Sequence, residues 1–380
     1  VWEKAVPYLR QAGVKAMERS AFREAAAGFE QALDALQHLP ESRTRAEQAS
    51  DLHIEASGAL GSMGRRAKST EHARAAERLA ETLGDGRRLG RALSRLALDA
   101  WMAGDPDRGL DLAQRANVLA TAHDDFALQA WAAHRLGVVW QTMGDYRQAA
   151  ECSRRAVEAL QGDRRYERLE FGGLTSVIAQ ERCAWCLAEL GEFAEAMARV
   201  EEGGRVAREI DDPSSLVFAD RSLGLVSLRR GDLMQAIPPL ERSVELCRVI
   251  PVPVLLDVSA AHLGYAYALS GRLPEGVALL EEALSDPAVT GIANHPLLLA
   301  YLGEAHLLAG RRDDALAVAR RALDLARRQK ERGNEAWVLR LLGEIAAQAD
   351  PPDPESAQAH YSQALARADE LGMRPLAAHC

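Results

Sequence analysis

Residues Leu136–Ala156 read LGVVWQTMGDYRQAAECSRRA, and the order of small side chains in them decides the fold. Gly137 stands seven residues before Gly144, Ala149 five after it and Ala156 twelve after it. Small residues at those places suit two helices that cross too closely for a large side chain. A glycine between them can take the left-handed conformation that ends a helix. The run leading into Gly144 is apolar, and Asp145 opens a second run. The stretch predicts a helical hairpin.

The same grammar recurs around Gly224, Gly231, Ala236 and Ser243, around Gly264, Gly271, Gly276 and Ala283, and around Gly303, Gly310, Ala315 and Ala322. Glycines that punctuate paired apolar runs lie at Gly64, Gly104, Gly144, Gly191, Gly231, Gly271 and Gly310, spaced by 40, 40, 47, 40, 40 and 39 residues. Unrelated globular domains would not share so regular a period, so the chain is a tandem array. Degenerate copies turn near Ser20 and Asp350, giving nine hairpins and eighteen helices, with His379-Cys380 in the opening helix of a tenth. The expected fold is all-α, a right-handed superhelix (α-solenoid) over residues 1–380 as one array. Polar or Pro-containing joins such as Asp124-Asp125, Asp211-Asp-Pro213, Pro251-Val-Pro253 and Asp286-Pro287 separate the repeats. The one long spacing reflects an insertion, residues 161–173 (QGDRRYERLEFGG), read as a surface excursion or a binding element.

Composition narrows the function. Hydrophobic residues are 48% of the 380 but aromatics only 5%, which suits close-packed aliphatic helices. Lys and Arg number 46 against 55 Asp and Glu, a net charge of −9 that repels a phosphate backbone and disfavours nucleic acid as a partner. Five cysteines at 152, 183, 186, 247 and 380 make no disulfide framework and favour a reducing, cytoplasmic setting. No apolar run is long enough for a membrane span, and Val1–Leu9 lacks a signal-peptide layout. The absent initiator Met and the amphipathic end at Leu376–Cys380 read as a piece of a longer protein.

The small-residue grammar resembles the tetratricopeptide repeat, stretched between repeats. Longer stretches carry a further resemblance: Phe29–Leu33 with His38–Ser42 and Glu47-Gln48, Ala184–Phe193, Leu228–Asp232, Leu263–Gly271, Glu335–Glu344, and Glu370–Pro375 with Ala378–Cys380. In this order they resemble the C-terminal helical-repeat region of bacterial signalling proteins that carry a class III adenylate/guanylate cyclase domain and an AAA-type, STAND-like ATPase. The resemblance implies a sensor or scaffold arm, with both catalytic modules upstream of Val1.

No residue pattern within the chain points to catalysis. Gly84–Gly90 has the wrong glycine spacing for a phosphate loop and no Lys-Ser/Thr after it. Cys183-Ala-Trp-Cys186 is a lone CxxC without a second pair or a histidine at finger spacing, and reads as packing. The ten histidines form no metal-hydrolase motif, and no Gly-x-Ser-x-Gly elbow occurs. No enzyme activity, metal or cofactor is expected.

The positive signal is geometric. Stacked hairpins curve, and the first helix of each lines an inner groove able to hold a peptide. In the tetratricopeptide register, groove positions lie six and three before the small residue of the first helix and one, four and five after it. They select Trp131, His134, Gln141 and Thr142 in repeat four, Glu181, Trp185 and Glu189 in repeat five, and Phe218, Arg221 and Arg229 in repeat six. Repeat seven adds Tyr265, and repeats eight and nine Glu304, Arg340 and Glu344. Aromatic anchors among arginine forks suit recognition. The leading reading is a non-catalytic regulatory scaffold that binds a protein, a peptide or another domain of its parent chain. A small-molecule or protein sensor arm of a STAND-type transcriptional activator and a homo-oligomerising scaffold are the alternatives.

Overall fold

The computed structural model describes residues 1–168, 173–250, 253–285 and 292–380. Its helices are α1 Trp2–Glu18, α2 Phe22–Gln37, α3 Arg43–Ser62, α4 Arg66–Leu83, α5 Gly86–Met102, α6 Pro106–Ala122, α7 Phe126–Met143, α8 Tyr146–Ala159, α9 Thr175–Glu189 and α10 Phe193–Glu209. They continue as α11 Pro213–Arg230, α12 Leu233–Val249, α13 Pro253–Leu269, α14 Leu273–Ser285, α15 His295–Leu308, α16 Arg312–Arg328, α17 Arg332–Ala347, α18 Pro354–Leu371 and α19 Arg374–His379. There is no strand among the described residues. The expected all-α solenoid of nine hairpins is the fold, and α19 follows the ninth. No helix among the described residues is long and apolar enough to cross a membrane.

Local chemistry sets the helix ends. The carboxylates of Asp85, Asp105, Asp125, Asp145, Asp212, Asp232 and Asp353 each accept the backbone N–H three residues on. Each such cap satisfies an orphan donor and contributes about 1 kcal/mol. At the other end, Gly144 closes α7 with φ +89°, in the left-handed region where a Cβ is unfavourable.

Burial separates two layers. The second helix of a hairpin buries a thin stripe, as α16 does with Ala315, Ala319, Ala322 and Ala326 at helical spacing, so it forms the outer layer. From α7 onward most residues of the first helices are buried, whereas α1 buries only Val6, Gly13 and Ala16. Every residue of α9 is buried, and α15 and α17 come close to that. A helix buried all round needs neighbours on all sides, and α9 has them: α8, α10, α7 and α11 beside it, and α19 across the superhelix. Likewise α17 lies against α7. Each contact joins hairpins five apart, so the coil returns onto itself.

Within a hairpin, α13 and α14 approach backbone to backbone. A Cβ on Gly276 would stand 2.6 Å from the Gly264 carbonyl oxygen and 2.7 Å from the Ala268 nitrogen, both backbone atoms that cannot swing aside. We predict that Gly276→Ala costs about 1–3 kcal/mol, the usual price of overpacking, and Gly276→Val more. Urea unfolding should show both losses, in that order; a neutral Gly276→Val would refute the close crossing.

Candidate functional site

The inner wall is built by the first helices, whose equivalent positions meet side by side. Its polar side chains therefore bond one repeat along the array. Trp101 Nε1 donates to Thr142 Oγ1 at 2.6 Å, and Arg182 to Gln141 Oε1. Arg221 binds Glu181 through Nε at 2.8 Å and a terminal nitrogen at 2.6 Å, and Arg229 Nε donates to Glu189 Oε1 at 2.6 Å. Tyr265 donates to Glu304 at 3.2 Å, and Arg340 binds Glu304 and, at 2.7 Å, Glu344. The result is a ladder of buried charge pairs.

Four of the groove residues selected from the sequence, Trp185, Glu189, Arg229 and Tyr265, converge on one cluster. Glu189 stands at its centre. Its Oε1 takes Arg229 and the Trp185 indole N–H at 3.2 Å, while its Oε2 takes the Trp337 indole N–H at 3.1 Å. The Arg229 guanidinium lies 4.5 Å over the Trp337 ring, and Tyr265 stacks on Tyr301 with centroids 4.0 Å apart. Burial lowers the Arg229 pKa, but Glu189 outweighs it and holds the cation above its ordinary value. Burial, with Arg221 and Arg229 nearby, pushes His262 down to about 3, so this imidazole between Trp185 and Tyr301 is neutral.

Other selected residues lie apart from that cluster. Trp131 is half-buried against Ile54, Ala76 and Ala92, with Arg91 over its ring at 5.8 Å. His134 is buried, and that burial holds its pKa far below the usual value. Phe218 sits under Arg221, with Gly173 against its ring. The insertion reaches this point through a 3-10 turn, Gly162–Tyr166, and bonds from Tyr166 to Glu209 and from Arg168 to Asp212. Its residues 169–172 lie outside the described residues.

Sequence reasoning missed Arg182, His262, Tyr301 and Trp337. The first three stand two residues before the small residue of their helix. At about 100° per residue that position lies only about 20° from the one five after it, which the register did include. Trp337 occupies the six-before position that had selected Trp131 and Phe218, so the register itself contained it.

Little here favours chemistry. Cys183 and Cys186 are buried free thiols, and burial raises both, Cys183 to about 11, which disfavours the reactive thiolate. No group of three or more potential metal ligands occurs among the described residues.

Fold and wall together define a tetratricopeptide-like helical solenoid with an arginine- and aromatic-lined interior. No protein-family model matches the chain, and no curated protein matches it by sequence. Solved structures share the fold. A Rap protein complexed with competence and sporulation factor aligns over 97% of this chain and 99% of its own, with TM-score 0.73 and 14% identity. NprR in complex with its cognate peptide NprX aligns over 96% and 98%, with TM-score 0.60 and 13% identity. A STAND protein with a tetratricopeptide repeat sensor from Pyrococcus horikoshii aligns over 85% of this chain and 50% of its own, with TM-score 0.52 and 13% identity.

Beside the cluster, where the coil returns onto itself, Glu331 is fully buried at the start of α17. It accepts from the Asn294 backbone N–H at 2.8 Å and the Asn334 side chain at 2.6 Å, and burial pushes its carboxyl up to about 7. A raised acid favours folding while protonated, so this contribution is complete below about pH 4.5 and is lost as pH rises to about 7. Glu331→Gln should remove that decline, leaving the variant level with the parent at pH 4.5 and more stable at pH 8. Thermal melts at the two pH values test it, and equal differences at both would contradict it.

Proposed function

We propose that this chain is a non-catalytic regulatory module whose inner wall binds a peptide or an extended protein segment, supplied by a separate protein or by a neighbouring domain of the same polypeptide. The observation that carries the reading is the convergence of Trp185, Arg229, Tyr265, Tyr301, Trp337 and Arg340 from five first helices onto one interior. Aromatic rings there offer apolar contact, and arginine forks can fix carbonyls and carboxylates. The likeness to NprR, solved with its cognate peptide, and to Rap, solved with competence and sporulation factor, supports the same reading, since it extends over nearly the whole chain. The STAND sensor supports a place beside an ATPase, and the sequence resemblance supports a cyclase in the same protein. A ligand that fits one curvature better than another would shift the array between them and pass the change on by linkage.

Fluorescence anisotropy against pools of short labelled peptides tests the binding step. A peptide bound by the parent chain should bind about tenfold more weakly to Glu344→Ala and to Phe218→Ala, and unchanged to Met234→Ala, which is exposed on the second-helix layer. Equal weakening by all three would place binding elsewhere, and failure of every pool would remove the peptide reading.

A further inference from the structure

The inner wall is closed in this structure: Glu189 and Arg221 are buried, and Arg229 and Trp337 keep less than a tenth of their surface in contact with solvent. Closure comes from a seam between hairpins four or more apart along the array. Trp337 of α17 donates to Glu189 of α9. Arg374 Nε donates to the Leu190 carbonyl at 2.7 Å, and Lys330 pairs with Asp107. A Cβ on Gly144 would meet the Gly333 nitrogen and Leu371 at 3.0 Å.

Two features set this seam apart from the joins between consecutive hairpins. In a stacked array each hairpin is stabilised by its immediate neighbours. A contact four or five hairpins along is an added term that no hairpin needs in order to form. The seam is also incompletely filled: a crevice of about 330 Å³ lies between α7 and the α16–α17 join, lined by Trp140, Met143, Arg327 and Lys330 among others. Glu189 connects seam to wall through the two oxygens of one carboxylate, Oε1 bound to Arg229 and Trp185 and Oε2 to Trp337.

We propose that the seam is a gate. The array passes between the closed form and one in which the seam parts while the hairpins stay folded, and the Glu189–Trp337 bond is the pin that holds the closed form. Parting exposes Arg229 and Trp337, which gives an extended ligand its way to the wall. A ligand carboxylate that took the place of Glu189 on the Trp337 indole would release the pin. The gate stands apart from the peptide reading, because it is a property of the chain without any ligand.

The test reads seam opening directly. In the full chain, Arg108→Cys and Arg328→Cys place spin labels on exposed positions flanking the Lys330–Asp107 pair, with Cys380→Ser removing the exposed native thiol and the other four cysteines buried. Trp337→Phe then deletes the indole donor and keeps an aromatic ring. Double electron–electron resonance should show a short-distance population in the parent and a long-distance population about tenfold larger in Trp337→Phe, the worth of one hydrogen bond to a charged group. Helical circular dichroism should not change. Arg374→Ala, at an exposed side chain, should shift the distances in the same direction and serves if Trp337→Phe folds poorly. Identical distances in parent and variants overturn the gate, as does broadening that comes with loss of helical signal. Peptide binding that fails while the distances shift would overturn the peptide reading alone.

Discussion

At Gly264 and Gly276 two helices come so near that neither backbone leaves room for a Cβ on the other, and this contact between small residues governs the molecule. It recurs where Gly137 faces Ala149 and Ser153, and where Gly303 faces Ala315. From the fourth hairpin onward, close crossing gives flat units whose outer helix buries a narrow stripe and whose inner helix buries most of its surface. Such units can cover that surface only by stacking. The stripe of alanines on α16 and the nearly complete burial of α15 are two sides of the same requirement.

Stacking then dictates the chemistry of the interior. Inner helices lie side by side, so a given register position faces its equivalent one repeat away, and a carboxylate in one repeat can meet an arginine in the next. Glu181 with Arg221 and Glu189 with Arg229 are such pairs. A buried charge pair is a weak source of stability, yet removing one partner leaves an uncompensated ion and costs about 3–5 kcal/mol. The ladder therefore constrains how the hairpins align more than it holds them together. It also leaves a wall of charged and aromatic groups where a bundle of similar size would have packed hydrocarbon. That wall is the physical basis for reading the chain as a recognition module.

The same local rule has a consequence at long range. A small rotation per hairpin, repeated five times, brings α7 to α17 and α9 to α19. Trp337 reaches a carboxylate 148 residues earlier, and Glu331 is covered at the start of the helix that carries Trp337. Both are properties of the closed coil and of no single repeat.

The spacing of glycines and alanines along the chain was enough to determine the hairpins, their number and the helix faces that turn inward, because those follow from contacts within forty residues. The groove register implied by the tetratricopeptide resemblance selected Glu189, Arg229, Arg340 and Glu304 as inward-facing. Only the tertiary structure decided that these side chains bind one another, that Trp337 and Tyr301 join them, that Trp131 lies apart with Ile54, and that the interior is shut. Those outcomes depend on the accumulated twist of the stack. A one-dimensional pattern records which face a residue occupies, and the sum of many small rotations decides what that face meets.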